Sequence, residues 1–229
     1  MNICVIQARG GSKRIPRKNI KRFHGKPMIA WSIDAAKKSK CFDEIIVSTD
    51  DKEIANVATL CGAEVPFIRP LELSSDTAST PAVMEHAAVW LSDKYDDVEN
   101  ICCIFGTAPL LDHISIKKGL KEINEKHINY VISLARYSSP IQRAMYIDDL
   151  NAINMFQPEN FVKRSQELQD AYFDAAQFYW GKLNSWLKRD LIYSNKTKAI
   201  VIDESRVQDI DTFDDWKMAE LKASYIFKK

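Results

Sequence analysis

The chain of 229 residues lacks most of the devices that settle a protein's class at sight. Its five cysteines (Cys4, Cys41, Cys61, Cys102, Cys103) contain no Cys-x-x-Cys pair, and its four histidines (His24, His86, His113, His127) are scattered. That argues against a zinc site or a disulfide framework and for buried, reduced thiols. No apolar run approaches membrane-spanning length, and Met1–Ile6 is too short for a signal-peptide core. A cytoplasmic protein with no membrane partner is the expectation. Glycine is scarce, at seven residues, and neither Gly-x-x-x-x-Gly-Lys-Ser/Thr nor Gly-x-Gly-x-x-Gly occurs. P-loop phosphoryl transfer and hydride transfer on a dinucleotide-binding domain both lose support. An excess of one charge is missing too: 32 Lys+Arg face 31 Asp+Glu, a formal net charge of +1. Repeats, low-complexity tracts and flexible linkers are absent, and 46% of the residues are hydrophobic. One large domain over 1–229 accommodates all of this.

Against that even background one segment stands out. Arg9-Gly10-Gly11-Ser12-Lys13-Arg14-Ile15-Pro16-Arg17-Lys18-Asn19 and the residues to Arg22 hold seven cations and no acid, directly after the apolar run Ile3–Ile6. The rest of the chain therefore sums to −6. A positive focus at the exit of a buried strand suits a polyanion, most simply a nucleoside triphosphate. Gly10 and Gly11 leave room for backbone N–H groups to approach phosphate oxygens, and Ile15-Pro16 stiffens the loop. A solvated basic loop or a nucleic-acid patch is the plainer alternative.

The first 135 residues alternate strand and helix patterns. Asn2–Gln7, Glu44–Ser48, Glu64–Ile68, Ile101–Phe105 and Asn129–Leu134 read as strands. Met28–Lys38, with Pro27 at its first position, Lys52–Cys61 ending at Gly62, Pro81–Leu91 and His113–Glu125 read as helices. The succession predicts an α/β fold: an open, mostly parallel sheet with helices on both faces, binding ligands beyond the carboxyl ends of its strands. From Arg136 to about Ser165 the pattern changes, and Arg143–Asp148 and Ala152–Met155 predict a hairpin excursion, a lid or a subunit contact. Phe173–Trp180 and Lys198–Ile202 follow as strands, Leu183–Arg189 as a short helix, and a last helix begins near Thr212.

Far downstream, Gln208-Asp209-Ile210-Asp211-Thr212 offers a counterpart to the basic loop. In extended backbone, residues two apart share a side, so Asp209 and Asp211 can converge on one hard cation such as Mg²⁺. Taken alone, Asp211 reads as a helix N-cap and Asp209 as a solvated acid. Paired with a basic glycine loop, the metal reading is the better one.

Several segments together resemble one family. Ala8–Asn19 looks like the signature of cytidylyltransferases that activate acidic sugars, and Phe42–Asp51, Leu73–Thr80 and Asp209–Asp211 are similar to theirs in order and spacing. The match spans nearly the whole chain and points to the acylneuraminate (CMP-nonulosonic acid) cytidylyltransferases. Phe173-Asp174-Ala175-Ala176-Gln177-Phe178-Tyr179-Trp180 resembles the Asp-Ala-Gly-Gln-Phe-Tyr-Trp segment of the pseudaminic acid cytidylyltransferases, with Ala176 in the glycine's place. Where sialic acid enzymes carry Gln-Pro-Thr-Ser-Pro-Leu, this chain has Phe105-Gly106-Thr107-Ala108-Pro109-Leu110, which favours a differently decorated sugar.

The resemblance implies a nucleotide-diphospho-sugar-transferase-like fold and Mg²⁺-dependent transfer of CMP from CTP to the anomeric hydroxyl of a nine-carbon keto sugar acid, with specificity for pseudaminic acid as its sharpest form. It implies nucleotide contacts from Ala8, Arg9, Gly10, Gly11, Ser12, Lys13, Lys18, Asn19, Ser79 and Thr80. Arg9, Lys13, Asp209 and Asp211 would be the catalytic set, the two aspartates holding the metal. Gln142, Arg143, Arg164, Gln177 and Tyr179 are the positions implied for the sugar. By the same resemblance the excursion at about 136–165 is a dimerisation arm or sugar-pocket lid, and the protein a homodimer with no nucleic-acid partner. A local capping role before Pro81 is the alternative for Ser79 and Thr80. For the whole chain the alternatives are a CMP-sialic or CMP-legionaminic acid synthetase, a keto-deoxy-sugar cytidylyltransferase, or a nucleotide- or RNA-binding module without chemistry.

Overall fold

Alternating apolar residues on buried strands build one sheet with a core on each face. The computed structural model describes residues 1–227, so the last two residues of the expected 1–229 domain lie outside the described part. The strands are β1 (Asn2–Gln7), β2 (Arg22–Phe23), β3 (Lys26–Pro27), β4 (Glu44–Ser48), β5 (Asn100–Phe105), β6 (Tyr130–Arg136), β7 (Met145–Ile147), β8 (Ile153–Met155), β9 (Tyr172–Lys182) and β10 (Thr197–Val201). The helices are α1 (Met28–Ser39), α2 (Lys52–Leu60), α3 (Thr80–Lys94), α4 (His113–Ile123), α5 (Leu183–Leu187) and α6 (Phe213–Phe227). Six strands form the main sheet in the order β10-β6-β9-β5-β1-β4, parallel except for β9, which runs antiparallel to both its neighbours. The expected open, mostly parallel α/β sheet is the one observed.

Period-two alternation sorts the side chains. Cys4 and Ile6 of β1, Cys102 and Ile104 of β5, and Phe178 and Trp180 of β9 point to the face covered by α1, α2 and α4. Ile3, Val5, Ile101, Cys103 and Tyr179 point to the other face, under α3 and α5. The buried thiols are all free, and burial pushes Cys4, Cys102 and Cys103 far above an ordinary thiol pKa, as inert core cysteines require.

Two expected elements differ. Glu64–Ile68 is not a strand: only the isolated bridges Ile46↔Glu64 and Thr49↔Ile68 form. Pro66 between them has no N–H to give, so a continuous ladder is impossible. Pro27 is the N-cap of α1 rather than its first helical residue, because Lys26–Pro27 first pairs with Arg22–Phe23 in a two-strand hairpin. The excursion folds as a small separate hairpin, β7 pairing β8.

A third apolar cluster matters most for function. Ile15 of the basic loop, Phe23, Met28 and Leu110 pack with Ile210 and with Trp216, Ala219 and Ala223 of α6. Ile15 and Ile210 are 1% and 0% exposed. This clasp carries the C-terminal Asp-Ile-Asp stretch across nearly 200 residues of sequence to the basic loop: Ile210 is buried inward, and the aspartates flank it.

Candidate active site

β1 and β5 deliver their carboxyl-terminal residues, Gln7 and Phe105, to one cleft of about 260 Å³. Gln7, Arg9, Lys13, Lys18, Thr80 and Asp211 are among its lining residues, and Ala8, Ser12, Arg14 and Asn19 complete the loop side. The expected nucleotide residues therefore come together, with exceptions that are informative. Ser79 lies outside the lining: its hydroxyl accepts from Ala82 N at 3.4 Å and caps α3, the local role weighed against it. Thr80 faces the cleft, where its hydroxyl accepts from the Gln7 amide at 3.3 Å.

The glycines act differently from expectation. Gly10 N–H already donates to Asp50 at 2.9 Å, and a Cβ at Gly10 would come within 2.7 Å of the Asp51 carboxylate. Gly10 is thus needed for close packing of the loop on the end of β4. A Cβ at Gly11 would meet nothing within 4 Å, so this position stands open.

Four interactions hold the loop. Arg17 sits at φ 57, a left-handed conformation that costs a non-glycine residue about 1 kcal/mol. Its guanidinium offsets this through a fork to Asp51, at 2.5 and 3.0 Å, and a further bond to Glu53. Asp51 also caps α2 by accepting from Glu53 N and Ile54 N. The Arg17 hydrogen bond, helped by those caps and opposed by desolvation, holds the Asp51 carboxyl below the usual carboxylate range. Asn19, buried, donates to Arg9 O at 2.9 Å, while its Oδ1 has no partner and faces Gly106. A Cβ at Gly106 would sit 2.7 Å from that oxygen, so the glycine after β5 is what admits Asn19.

The cations are not left bare. Arg9 and Lys13 both grip Asp76, at 2.7 and 2.5 Å, and those two bonds lower the Asp76 pKa, Lys13 contributing most. Arg14 reaches Asp211 at 2.9 Å, and Lys18 lies 3.6 Å from the same carboxylate while donating to Ile210 O. The basic loop and the Asp-Ile-Asp stretch are therefore in direct electrostatic contact. Thr212, not Asp211, precedes α6 as its cap: Asp215 N donates to the Thr212 hydroxyl, and the Asp215 carboxylate accepts from Thr212 N in return. That reciprocal box relieves Asp211 of the capping duty the sequence alone suggested for it.

Asp209 and Asp211 flank Ile210 and share a second crease of about 430 Å³ with Arg136, Tyr137, Phe173 and Lys222. Desolvation raises the Asp209 pKa, and the Asp211 charge raises it further, with Lys18 working against both. Two mutually repelling carboxylates beside a cationic cleft fit a hard divalent cation, which needs only one or two protein carboxylates when phosphates and water complete its shell. Among the described residues no group of three or more His, Cys, Asp or Glu is arranged to hold a metal.

The residues expected at the sugar are not gathered in this crease. The side chains of Gln142 and Arg143 donate to Gln169 O and Lys163 O, within the arm and the segment returning from it, while Arg164 donates its backbone N–H to Glu167. Gln177 and Tyr179 are buried, at 4% and 6% exposure. Gln177 donates to Arg206 O, and Tyr179 donates to Asp174. A register shift opposite Ile132/Leu134, with Ala176 at φ 48, interrupts β9 just before them. Sequence reasoning passed over Arg69, Asp76, Gln7 and Arg14, all lining the first cleft. Arg69 is 3% exposed, donates to Ser74 and stands 3.9 Å from Asp50, with burial pulling its pKa down. Its signal in sequence was faint: one arginine before Pro70, at the end of a segment that does not form a strand.

A cationic cleft at the carboxyl edge of a mostly parallel sheet, with a carboxylate pair beside it, defines a nucleotidyltransferase-type architecture. The structure of a CMP:2-keto-3-deoxy-manno-octonic acid synthetase complexed with CTP matches this fold with a TM-score of 0.70 at 15% identity, covering 100% of this chain and 99% of that one. The chain belongs to the cytidylyltransferase family, whose pattern matches residues 3–219. It is 40% identical over 220 residues to a pseudaminic acid cytidylyltransferase of Campylobacter jejuni, covering 96% of this chain and 95% of that protein. A CMP-N,N'-diacetyllegionaminic acid synthase of Legionella pneumophila is 32% identical over 229 residues, covering 95% and 94%. Among the described residues no helix is long and apolar enough to cross a membrane.

Proposed function

We propose that the protein transfers CMP from CTP to the anomeric hydroxyl of a nonulosonic acid, pseudaminic acid, and releases pyrophosphate. The observation that carries this reading is the position of Asp211, which lines both the cationic cleft and the crease beside it. A nucleotide in the first and a sugar in the second would meet at that carboxylate. The full-length likeness to a pseudaminic acid cytidylyltransferase supports this sugar over the legionaminic one.

Arg9, Lys13 and Lys18 bind and orient the triphosphate, and Arg9 and Lys13 stabilise charge that develops on the leaving pyrophosphate. Asn19 and Thr80 line the same cleft and position the nucleotide. Asp209 and Asp211 would hold Mg²⁺. Bound there, the ion would supply neutralisation of the negative charge that develops as the phosphate bond breaks. The sugar hydroxyl attacks the α-phosphorus in line, giving up its proton to solvent, and the oxygen bridging to the β-phosphorus leaves with the pyrophosphate.

The hairpin excursion is read as a dimer contact. It exposes Leu150, Val162, Ile153 and Phe161, at 89%, 85%, 71% and 71%, more apolar surface than a free hairpin retains in water. A homodimer by light scattering at micromolar concentration is expected, and a monomer would remove this part. The function itself is tested by pyrophosphate release from CTP with Mg²⁺ and a panel of pseudaminic, legionaminic, N-acetylneuraminic and keto-deoxyoctonic acids. Activity that favours pseudaminic acid is the expected result. Preference for another acid would move the specificity, and no release with any of them would sink the reading.

A further inference from the structure

The crease beside Asp209 and Asp211 poses a charge problem. Its acids are Glu204, Asp209, Asp211 and Asp215, yet the acceptor proposed for it is itself a carboxylate. Two cations line it, Arg136 and Lys222. Lys222 is already committed: its ammonium donates to Val207 O at 2.6 Å and to Glu204 O at 3.3 Å, both on the loop leading to Asp209. Arg136 is placed otherwise. It ends β6, inside the sheet, and its side chain is 62% exposed and ion-paired with Asp170 on the segment returning from the arm. It also lines the larger cleft of about 710 Å³ beneath the arm, so it stands where the two hollows join.

We propose that Arg136 anchors the carboxylate of the acceptor sugar, exchanging Asp170 for the substrate. The rationale is geometric and chemical. A guanidinium presents two parallel N–H donors that match a carboxylate, and it already pairs with one, that of Asp170. Anchored there, the acid group, which in a 2-keto sugar acid sits on the same carbon as the attacking hydroxyl, is balanced by a cation beside the crease's four acids, and the rest of a long sugar chain has the arm cleft to extend into. This role belongs to none of the positions the family resemblance suggested for the sugar. It rests on the acceptor being a sugar acid.

The test is steady-state pyrophosphate release by the full-length protein with pseudaminic acid and with its uncharged carboxamide. Arg136→Ala should raise KM for the acid on the order of 10- to 100-fold, the loss of one charge-assisted hydrogen-bond pair. KM for CTP should stay unchanged, and Arg136→Lys should recover part of the loss. With the carboxamide, wild type and Arg136→Ala should behave alike. Asp170→Asn, which frees the guanidinium, should leave KM for the acid unchanged or lower it. An unchanged KM for the acid in Arg136→Ala overturns the proposal. So does an equal loss with the carboxamide, or Asp170→Asn reproducing the Arg136→Ala defect, since both describe a structural latch. Wild-type protein that releases no pyrophosphate with any sugar acid overturns the functional reading and this proposal together, a result distinct from each of the others.

Discussion

The two hollows that meet at Asp211 are built in opposite ways. The cationic cleft sits on strand ends, and its loop is locked by the Ile15–Ile210 clasp, the Arg17–Asp51 fork and Asn19. Its charges are already paired, Arg9 and Lys13 with Asp76, Arg14 with Asp211. The crease is lined by the end of β6, by Phe173 of β9 and by the loop that carries Asp209, with four acids to two cations, and the arm that leaves β6 beside it keeps large apolar side chains in water. A triphosphate is the same in every enzyme that uses it, so a preformed rigid cradle serves. In the proposed function an acceptor sugar that varies in stereochemistry is met by a less constrained segment.

The contrast predicts where damage is catastrophic. Arg9→Ala or Asp209→Ala should lower kcat on the order of 100- to 1,000-fold, the scale for removing a charge that stabilises the transition state. Circular dichroism and melting temperature should stay near wild type, because both side chains border open clefts rather than the core. Near-normal pyrophosphate release by either variant would strip that residue of its role. A smaller but still large effect is expected at the clasp. Ile210→Ala should destabilise the fold by roughly 2–5 kcal/mol, read from denaturant unfolding, since a fully buried side chain leaves a cavity. It should also weaken CTP binding, because the aspartates lose their register on the loop. If CTP binding survived intact, the two halves of the site would be held together by something other than this cluster.

Much of this is legible in the amino-acid order alone, and the reason is local. The strand Asn2–Gln7, the basic loop and the strand Glu44–Ser48 are continuous patterns in which period, charge and turn residues agree, and the expected strand bounds match the observed ones. Asp209 and Asp211 are legible because their alternation around an apolar residue is itself the structural statement. What stays hidden depends on distant contacts. Ser79 and Thr80 are neighbours with similar side chains, yet one caps α3 and the other faces the cleft, a difference set by where α3 begins relative to β1. Gln177 looks available to a ligand by alternation, but a bulge and the positive φ of Ala176 reset the alternation just there. Arg69 and Asp76 become site residues only when Asp50 and the basic loop are brought beside them.

Rigidity of the nucleotide side also has a pH signature. Asp51 is held below the ordinary carboxylate pKa of about 3.9. A depressed folded-state pKa contributes stability that is complete above the unfolded value and is lost as pH falls through the folded one. Acid should therefore loosen the Arg17 turn below about pH 4. Asp51→Ala should remove this pH dependence and cost about 1–2 kcal/mol at neutral pH, chiefly through the lost α2 cap. Unfolding midpoints measured from pH 3 to 7 check both parts, and an identical acid slope in the variant would assign the sensitivity elsewhere.

The finest test concerns Asp76, which pairs with the two cations proposed to hold the triphosphate. Both ion pairs are at the surface: the side chains of Arg9, Lys13 and Asp76 are 37%, 80% and 46% exposed. Solvent screening keeps such pairs weak. In the proposed function, binding of CTP would exchange them for contacts with a more highly charged partner, at the cost of a small competition. Asp76→Asn should tighten CTP binding by roughly 2- to 10-fold in isothermal titration, the scale set by weak surface pairs. The gain should shrink as salt is raised, because exposed pairs are screened. Were Asp76 instead an orienting partner that keeps Arg9 and Lys13 in place while phosphate is bound, the same variant would weaken CTP binding. The direction of this small change therefore says whether the rigidity of the nucleotide side is maintained by a surrogate for the substrate or by a permanent brace.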